Sequence, residues 1–567
     1  MFGYKNITLA RPLLSDSQIK FRLGLVRHRT RTYPLDSMDF IMMDLERPEG
    51  AHRQAYQCMG DLTGRLLEFL SHAQGVDGRD DDRLPILFER ILRQRRPSGL
   101  FGRIIADPLF PHECFAACAR VFPGLIHYYE LTNDMRALDS ALGLADLTVR
   151  SKDIWLKRLK ETGGRSIEFW ITEPLAMLYG LTGEKAYLDF VGMIGEELQT
   201  PDKGAHAHGY MAALRGLQTA ALITGDAAWN AKAEASRRMI IDGHYEMPDG
   251  CTPEGFPHSG ANEGCSIADW LMLNLNTAAI LGNDEPYERA ERILWNALAF
   301  NQWITGSFGH RSTNPNGYGM RRFEEAWWCC LHHGGLALVE YARHAVTLRD
   351  KAIQVNLLVP GRYRLALPGG QEAEVRIATA YPARAEAIIE AARVPADFSL
   401  RLRVPACVKH PVVTESREGG RVRLKFSGRI GHHIEPCHGG VMLKYGPLVL
   451  APAVYSWQAE ERTYGDSHAP AGYIPDAMPS GLPTLNVPPA DADGLLTLTE
   501  QPYPEWMYFE DGQTTRCGVP GSPANVPVLF PGGKERTLRF TPLCYNTSNL
   551  SLFETPVVFG GSTAAEK

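Results

Sequence analysis

Between about Tyr56 and Leu348 apolar residues recur three and four positions apart, as in GDLTGRLLEFLSHA, CARVFPGLIHYYELT, ITEPLAMLYGLTG, YMAALRGLQTAALITG and IADWLMLNLNTAAILG. That spacing predicts amphipathic helices. Several of these runs end on a shared signal, at Thr132-Asn133-Asp134, Thr182-Gly183-Glu184, Thr224-Gly225-Asp226 and Gly282-Asn283-Asp284. Gly or Asn accepts the left-handed conformation that closes a helix, and the acid after it can cap the next one. The first three signals lie 50 and 42 residues apart, room for two helices and their loops. A helical-hairpin array follows, either closed into an α/α toroid or open as a solenoid.

Beyond about Ala352 the period falls to two. AIQVNLLV, RYRLAL, AEVRIATA, FSLRLRV, RVRLKF and GVMLKYGPLVLAPA alternate between Gly and Pro punctuation, which predicts an antiparallel β domain of sandwich type. From Trp457 to about Gly533 the chain is rich in Pro and Gly, and RTLRFTPLCY and LSLFETPVVF then read as returning strands. The 567 residues are thus expected to divide into a helical unit at 1–348, a β-sandwich at 349–456 and an irregular β-rich extension at 457–567.

Composition narrows the function classes. Lys plus Arg number 59 against 65 Asp plus Glu, a net charge of −6 without blocks of one sign, so nothing marks a nucleic-acid or anionic-membrane binder. Hydrophobic residues at 44% suffice for a large core. No run reaches the ~18 apolar residues of a membrane helix. The opening MFGYKNITLARPLLSDSQIK lacks the pattern of an export signal, so the expected location is cytoplasmic, with a trimmed leader as the alternative. Eleven scattered Cys read as reduced thiols, not a disulfide framework. A homo-oligomer is left open.

Two short segments carry chemistry. ANEGCSIADWL holds Glu263 and Cys265, and EEAWWCCLHHGG holds Cys329 and Cys330. Three thiols and a carboxylate make a donor set for tetrahedral zinc. Each pair stands at the start of a predicted helix, whose positive end favours thiolate. Separate buried thiols, or a vicinal disulfide, are the competing readings of the same residues. In CTPEGFPHSGAN, Glu254 lies between Pro253 and Gly255 beside Phe256, where a desolvated carboxyl can act as a general acid, although a loop Glu is commonly just solvated. His112, His206 and His208 precede helical runs and are candidates to face a common mouth.

Taken in order along the chain, GDLTGRLLEFLSHA, SGLFGRI, HECFAACARVFPGLIHYYELTND, the Thr-Gly-acid helix ends, TPEGF, NEGC, the Trp-Asn of RILWNALAF, the Cys-Cys pair and VNLLVPGRYRL resemble the β-L-arabinofuranosidase-like glycoside hydrolases of family 127. The resemblance implies an (α/α)6 barrel followed by antiparallel β-sandwich domains. It also implies a retaining glycosidase in which a zinc-bound Cys thiolate replaces the usual carboxylate nucleophile. Carried onto this sequence, Glu254 is the implied acid/base, Glu263, Cys265, Cys329 and Cys330 are the implied Zn2+ ligands, and Cys329 is the implied nucleophile. His112 and His206, with His208 in reserve, are the implied substrate contacts, and the implied partner is an oligosaccharide or glycoside. The chain departs from the family pattern at Gly163-Gly164, Cys118-Ala119-Arg120 and Leu331-His332-His333, positions that bear on the choice of sugar. A metal-independent toroid enzyme, a lyase or an epimerase, and a non-catalytic zinc-stabilised carbohydrate-binding protein are the alternative readings.

Overall fold

The computed structural model describes residues 3–46, 60–102, 112–162, 167–200, 205–256, 262–303, 305–310, 325–437 and 440–452, together with segments 484–485, 506–510, 513–517, 524–529, 535–543 and Phe559. Most of the expected irregular stretch after Trp457, the Gly163-Gly164 departure and most of LSLFETPVVF lie outside the described residues; the described parts of that stretch, 484–485, 506–510, 513–517 and 524–529, are strands.

Fourteen helices are used below. They are α1 (Gln18–Arg29), α2 (Met38–Glu46), α3 (Asp61–Asp77), α4 (Arg83–Arg93), α5 (His112–Thr132), α6 (Met135–Arg150), α7 (Lys152–Thr162), α8 (Thr172–Thr182), α9 (Lys185–Glu197), α10 (Ala207–Thr224), α11 (Ala231–Asp242), α12 (Gly264–Leu281), α13 (Glu285–Arg292) and α14 (Cys330–Arg343). Their packing closes a ring: α3 packs on α5, α5 on α8, α8 on α10, α10 on α12, α12 on α14, and α14 returns to α3. The array is therefore a toroid, not an open solenoid. The other helices lie outside this ring, α6 against α5, α9 against α8, α11 against α10 and α13 against α12.

Burial follows from that arrangement. The outer α6 buries one stripe, Ala137, Ser140, Ala141, Leu144, Ala145 and Thr148. The inner α10 and α12 are covered on every side nearly throughout. Polar residues on inner helices are thus forced to find partners inside the ring. The connections behave as the sequence signals predict: Asn133, Gly183, Gly225 and Gly282 all have positive φ. Asp134, Glu184 and Asp226 each accept from the backbone N–H two residues on, whereas Asp284, the acid of the fourth signal, makes no side-chain cap on α13. One close approach depends on glycine. A Cβ on Gly64 of α3 would lie 2.4 Å from the carbonyl carbon of Arg120 on α5, so only glycine lets those helices touch at their backbones.

The β region follows α14. One sheet has the order β1 (Thr8–Leu9), β5 (Val346–Arg349), β6 (Ala352–Val355), β10 (Ser399–Leu402), antiparallel except for the parallel β6–β10 pair. A six-stranded antiparallel sheet runs β11 (Lys409–Glu418), β12 (Arg421–Arg429), β9 (Glu386–Ala392), β8 (Glu372–Thr379), β7 (Gly361–Ala366), β2 (Arg11–Leu14). A third runs β13 (His432–Cys437), β14 (Gly440–Tyr445), β15 (Leu448–Pro452), β20 (Glu535–Pro542), β19 (Ala524–Leu529), β16 (Thr484–Leu485). A hairpin, β17 (Trp506–Glu510) with β18 (Gln513–Cys517), and the two-residue pair β3 (Ala205–His206) with β4 (Gly255–Phe256) complete the described strands. Two N-terminal strands that the period-two pattern did not reveal join these sheets, Thr8 opposite Leu348 and Arg11 opposite Arg364.

Helices and sheets are fastened by buried polar groups. Arg403, with its side chain fully enclosed, meets Glu288 and, at 2.8 Å, Glu291 on α13. Asn296, the Asn of RILWNALAF, lies in the π-helical turn Ile293–Leu298, where it donates to the Pro447 carbonyl and accepts from Val449 N–H at 2.7 Å. That Asn serves as a clamp between helix and strand. No described helix is long and apolar enough to cross a membrane.

Candidate active site

Inner helices bring the singled-out residues together at their N-terminal ends. Glu263 is the N-cap residue of α12 and Cys265 lies in its first turn, while Cys330 opens α14 directly after Cys329. Cys265 and Cys330 Sγ are 3.5 Å apart, Cys329 and Cys330 Sγ 3.6 Å, and Glu263 Oε2 is 3.9 Å from Cys330 Sγ. All four donor atoms lie within 4.8 Å of one another. Zinc bonds of ~2.3 Å to sulfur and ~2.0–2.2 Å to oxygen at tetrahedral angles call for donor separations of roughly 3.5–3.8 Å. The donor types and their spacing fit zinc.

The three thiols are not equivalent. Cys265 and Cys330 are fully buried, and Cys329 is the one partly open to solvent. Hydrogen bonding from the Cys265 and Cys330 sulfurs, with Arg65 and His208 nearby, holds the Cys329 thiol well below its ordinary range. Burial pushes the other two up.

Glu254 reaches the same place through the β3–β4 pair. Ala205 stands opposite Phe256, His206 opposite Gly255, and Ala207 N–H donates to the Glu254 carbonyl at 2.8 Å. His206 caps α10, its Nδ1 accepting from Gly209 N–H at 3.4 Å. Its Nε2 is thereby turned to Glu263 Oε1 at 3.2 Å. Burial opposes a charge on His206, but the Glu263 carboxylate outweighs it and raises the imidazole's pKa. His206, Glu254 and Glu263 form a second close group of donor atoms, with the Glu254 side chain 31% exposed and His310 Nε2 4.0 Å from its Oε1. His112 opens α5, and its side chain is outside the described ones.

His208, unlike His206, turns inward. It is 2% exposed, and its Nε2 lies 2.8 Å from Arg120 Nη2 and 3.2 Å from Arg65 Nη2. Guanidinium groups only donate, so Nε2 accepts and the ring proton sits on Nδ1, bonded to Asp269 Oδ2. Asp269 Oδ1 also accepts from His333 Nε2 at 2.8 Å and Arg215 Nη1 at 2.6 Å. Although burial alone would raise the Asp269 pKa, His208 and His333 hold it well below the ordinary carboxylate range. Arg65 is bonded to Asp61 at 2.8 Å, and the Arg120 guanidinium lies 3.6 Å from the centre of the Trp170 ring. His208, Asp269 and His333 have donor atoms close enough for a metal. Guanidinium contacts to His208 and Asp269 disfavour a cation there.

Sequence reading missed Asp61, Arg65, Asp269 and, near Glu254, His310; it singled out Arg120 and His333 only as departures bearing on the choice of sugar, whereas both are enclosed in this buried layer, on His208 and Asp269. A usable signal exists. Asp269 stands four residues after Cys265 and His333 four after Cys329, one helical turn below the cysteines, while Asp61 and Arg65 form an i,i+4 pair within an apolar run.

Residues 105–343 match the family model for the β-L-arabinofuranosidase GH127 catalytic domain. No curated protein sequence matches the chain significantly. Among solved structures, a GH127 β-arabinofuranosidase aligns over 100% of this chain and 99% of its own at 15% identity, with a TM-score of 0.65. The GH127 β-L-arabinofuranosidase of Geobacillus stearothermophilus T6 aligns over 97% of this chain and 100% of its own at 15% identity, with a TM-score of 0.66. At such identities the structural likeness speaks for the fold, a helical toroid followed by antiparallel β sheets. The stretch that contains Glu254 and the Glu263–Cys265–Cys329–Cys330 cluster, residues 105–343, is a glycoside hydrolase domain of the GH127 β-L-arabinofuranosidase-like kind.

Proposed function

We propose that the protein is a retaining exo-glycosidase that releases a terminal furanose such as β-L-arabinofuranose, with Cys329 as nucleophile and Glu254 as acid/base. The observation that carries this reading is the gathering of three sulfurs and one carboxylate within 4.8 Å beside a second carboxyl group. Glu263, Cys265, Cys329 and Cys330 would hold zinc, which keeps a thiolate deprotonated at neutral pH and makes it a better leaving group. Cys329 is the sulfur a substrate can reach, because its two neighbours are enclosed.

In the first step the Cys329 sulfur attacks the anomeric carbon, the glycosidic C–O bond breaks, and Glu254 gives its proton to the departing oxygen. In the second, ionised Glu254 takes a proton from water, the water oxygen attacks the same carbon, and the C–S bond breaks to restore the thiolate. Two displacements return the original anomeric configuration. His206 at the mouth and His112 at the head of α5 are the proposed contacts to sugar hydroxyls, and His208 supports the floor beneath them. We assign this chemistry to residues 1–348, with a β-sandwich at 349–456 and a β-rich extension at 457–567.

The test uses aryl and alkyl β-L-arabinofuranosides. Cys329→Ala is expected to abolish turnover of both. Glu254→Gln should slow the alkyl glycoside far more than the aryl one, whose leaving group needs little protonation. Wild-type rates in Cys329→Ala, or equal losses on both substrates in Glu254→Gln, would refute the assignment.

A further inference from the structure

At the opposite end of α12 from the cysteines, a cleft of about 820 Å³ opens between the helices and the first β sheet. Its volume lies within the range of small-molecule sites, about 300–1,000 Å³. Asn283, Asp284 and Tyr287, where α12 passes into α13, form one wall. Strands β5, β6 and β10 form the other. Seventeen residues of helix separate Cys265 from Gly282, which at ~1.5 Å per residue puts the cleft about 25 Å from the sulfur cluster. It is a separate place from the candidate active site.

Its charges cancel. Arg349, Lys351 and Arg401 are matched by Asp284, Asp350 and Asp397. Several are already engaged: Lys351 pairs with Asp397 at 2.5 Å, and the Arg349 guanidinium donates to the Ala279 carbonyl at the C-terminal end of α12. The side chains of Asn283, Asp284, Gln354, Ser399 and Arg401 make no hydrogen bond or ion pair to another described residue. The cleft therefore offers a mixed, unspent set of donors and acceptors between rigid walls, with Tyr287 and Phe398 contributing apolar surface.

This set selects its ligand by chemistry. A phosphate or polycarboxylate would meet the three aspartates, a cation the two arginines, and an apolar molecule would strand the amides and hydroxyl without partners. Sugar hydroxyls donate and accept at once, and a neutral sugar brings no charge to be desolvated. We propose that this cleft is a second, non-catalytic carbohydrate site that takes an uncharged oligosaccharide and keeps a glycan chain on the enzyme between cleavages. The choice of a glycan rests on the glycosidase reading above.

The test titrates an L-arabinofuranosyl tetrasaccharide into the full-length Cys329→Ala protein by calorimetry, and repeats it in that background with Gln354→Ala and Arg401→Ala. Binding to two sites per chain is expected, with one lost or weakened at least tenfold by the pair of substitutions. An otherwise wild-type chain carrying the same pair should retain its turnover of a small aryl furanoside, because neither residue touches the reacting groups. Arg401 is exposed and Gln354 half-buried, and unchanged thermal unfolding would verify the fold. A single site indifferent to the pair, no binding at all, or preference for an oligogalacturonate of equal length would overturn the proposal. Failure of wild-type protein to turn over any furanoside would count against the glycosidase reading alone, since the calorimetry reports on the cleft whether or not the protein is an enzyme.

Discussion

Asp269 is the acceptor shared by His208, His333 and Arg215, and no part of it reaches solvent. Asp269→Ala leaves two imidazole N–H donors without partners at about 1–3 kcal/mol each. It also costs Arg215 one of two carboxylates, the other being Glu173 at 2.5 Å. The contributions belong to one network and do not simply add, so the expected loss is about 3–5 kcal/mol, the range for breaking a buried ion pair. At roughly 2–4 °C per kcal/mol for domains of 150–250 residues, and less for a larger unit, thermal unfolding of the helical region should start several degrees lower. Near-UV circular dichroism at pH 7 measures it. The pH dependence carries a sign. The folded-state pKa of Asp269 is depressed, so its contribution is complete above the unfolded value of ~3.9 and disappears as pH falls through the folded value. The difference between wild type and Asp269→Ala should therefore shrink on acidification below about pH 4. A Tm within about 2 °C of wild type at pH 7 would show that these donors find other partners, and the account of the buried layer would fall.

Three further predictions concern other parts of the molecule. Gly64→Ala sets a methyl group 2.4 Å from the Arg120 backbone, which cannot swing aside as a side chain could. A loss of about 1–3 kcal/mol or more is expected in chemical denaturation, and a neutral result would mean the helices sit farther apart. Burial pushes the Asp44 carboxyl up to about 7 although it accepts from Thr63. Its ionisation therefore weakens the native state, and stability should rise as pH falls from about 7 toward 4. Asp44→Asn should flatten that part of the Tm profile, and an unchanged slope would assign it to another group. Elemental analysis of reduced protein should find about one zinc per chain. Exhaustive chelation should remove it and lower the Tm, whereas zinc-free protein with wild-type Tm would count against the four-residue site.

The helices were readable because the inner ring imposes its period on the sequence, and the closures at Asn133, Gly183, Gly225 and Gly282 were readable because the left-handed conformation restricts residue choice. Glu263 with Cys265, and Cys329 with Cys330, stood out as uncommon pairs. What held them in place was less visible. Arg65, Arg120 and Asp269 sit on helix faces that periodicity assigns to the core, and their role exists only because helices distant in sequence deliver complementary groups to the same spot. His206 and His208 show the limit of spacing. Two residues apart on one helix start, one faces Glu263 at the mouth and the other is sealed beneath it. Strand β11, with all ten residues exposed, and strands β1 and β2, at two and four residues, lacked the length or alternation that a period-two reading requires.

The pairing of the N-terminal strands with β5 and β7 has a consequence for biosynthesis. Residues 8–14 leave the ribosome well ahead of their partners at 346–366, which emerge some 340 residues later. At the usual 5–20 residues per second the first strands wait roughly 20–70 s for a sheet to join. Throughout that interval Leu9 and Leu14, both buried in the finished protein, are uncovered. The two strands thus stay unpaired while the helical ring is being made, and a chaperone that shields residues 8–14 would cover that interval.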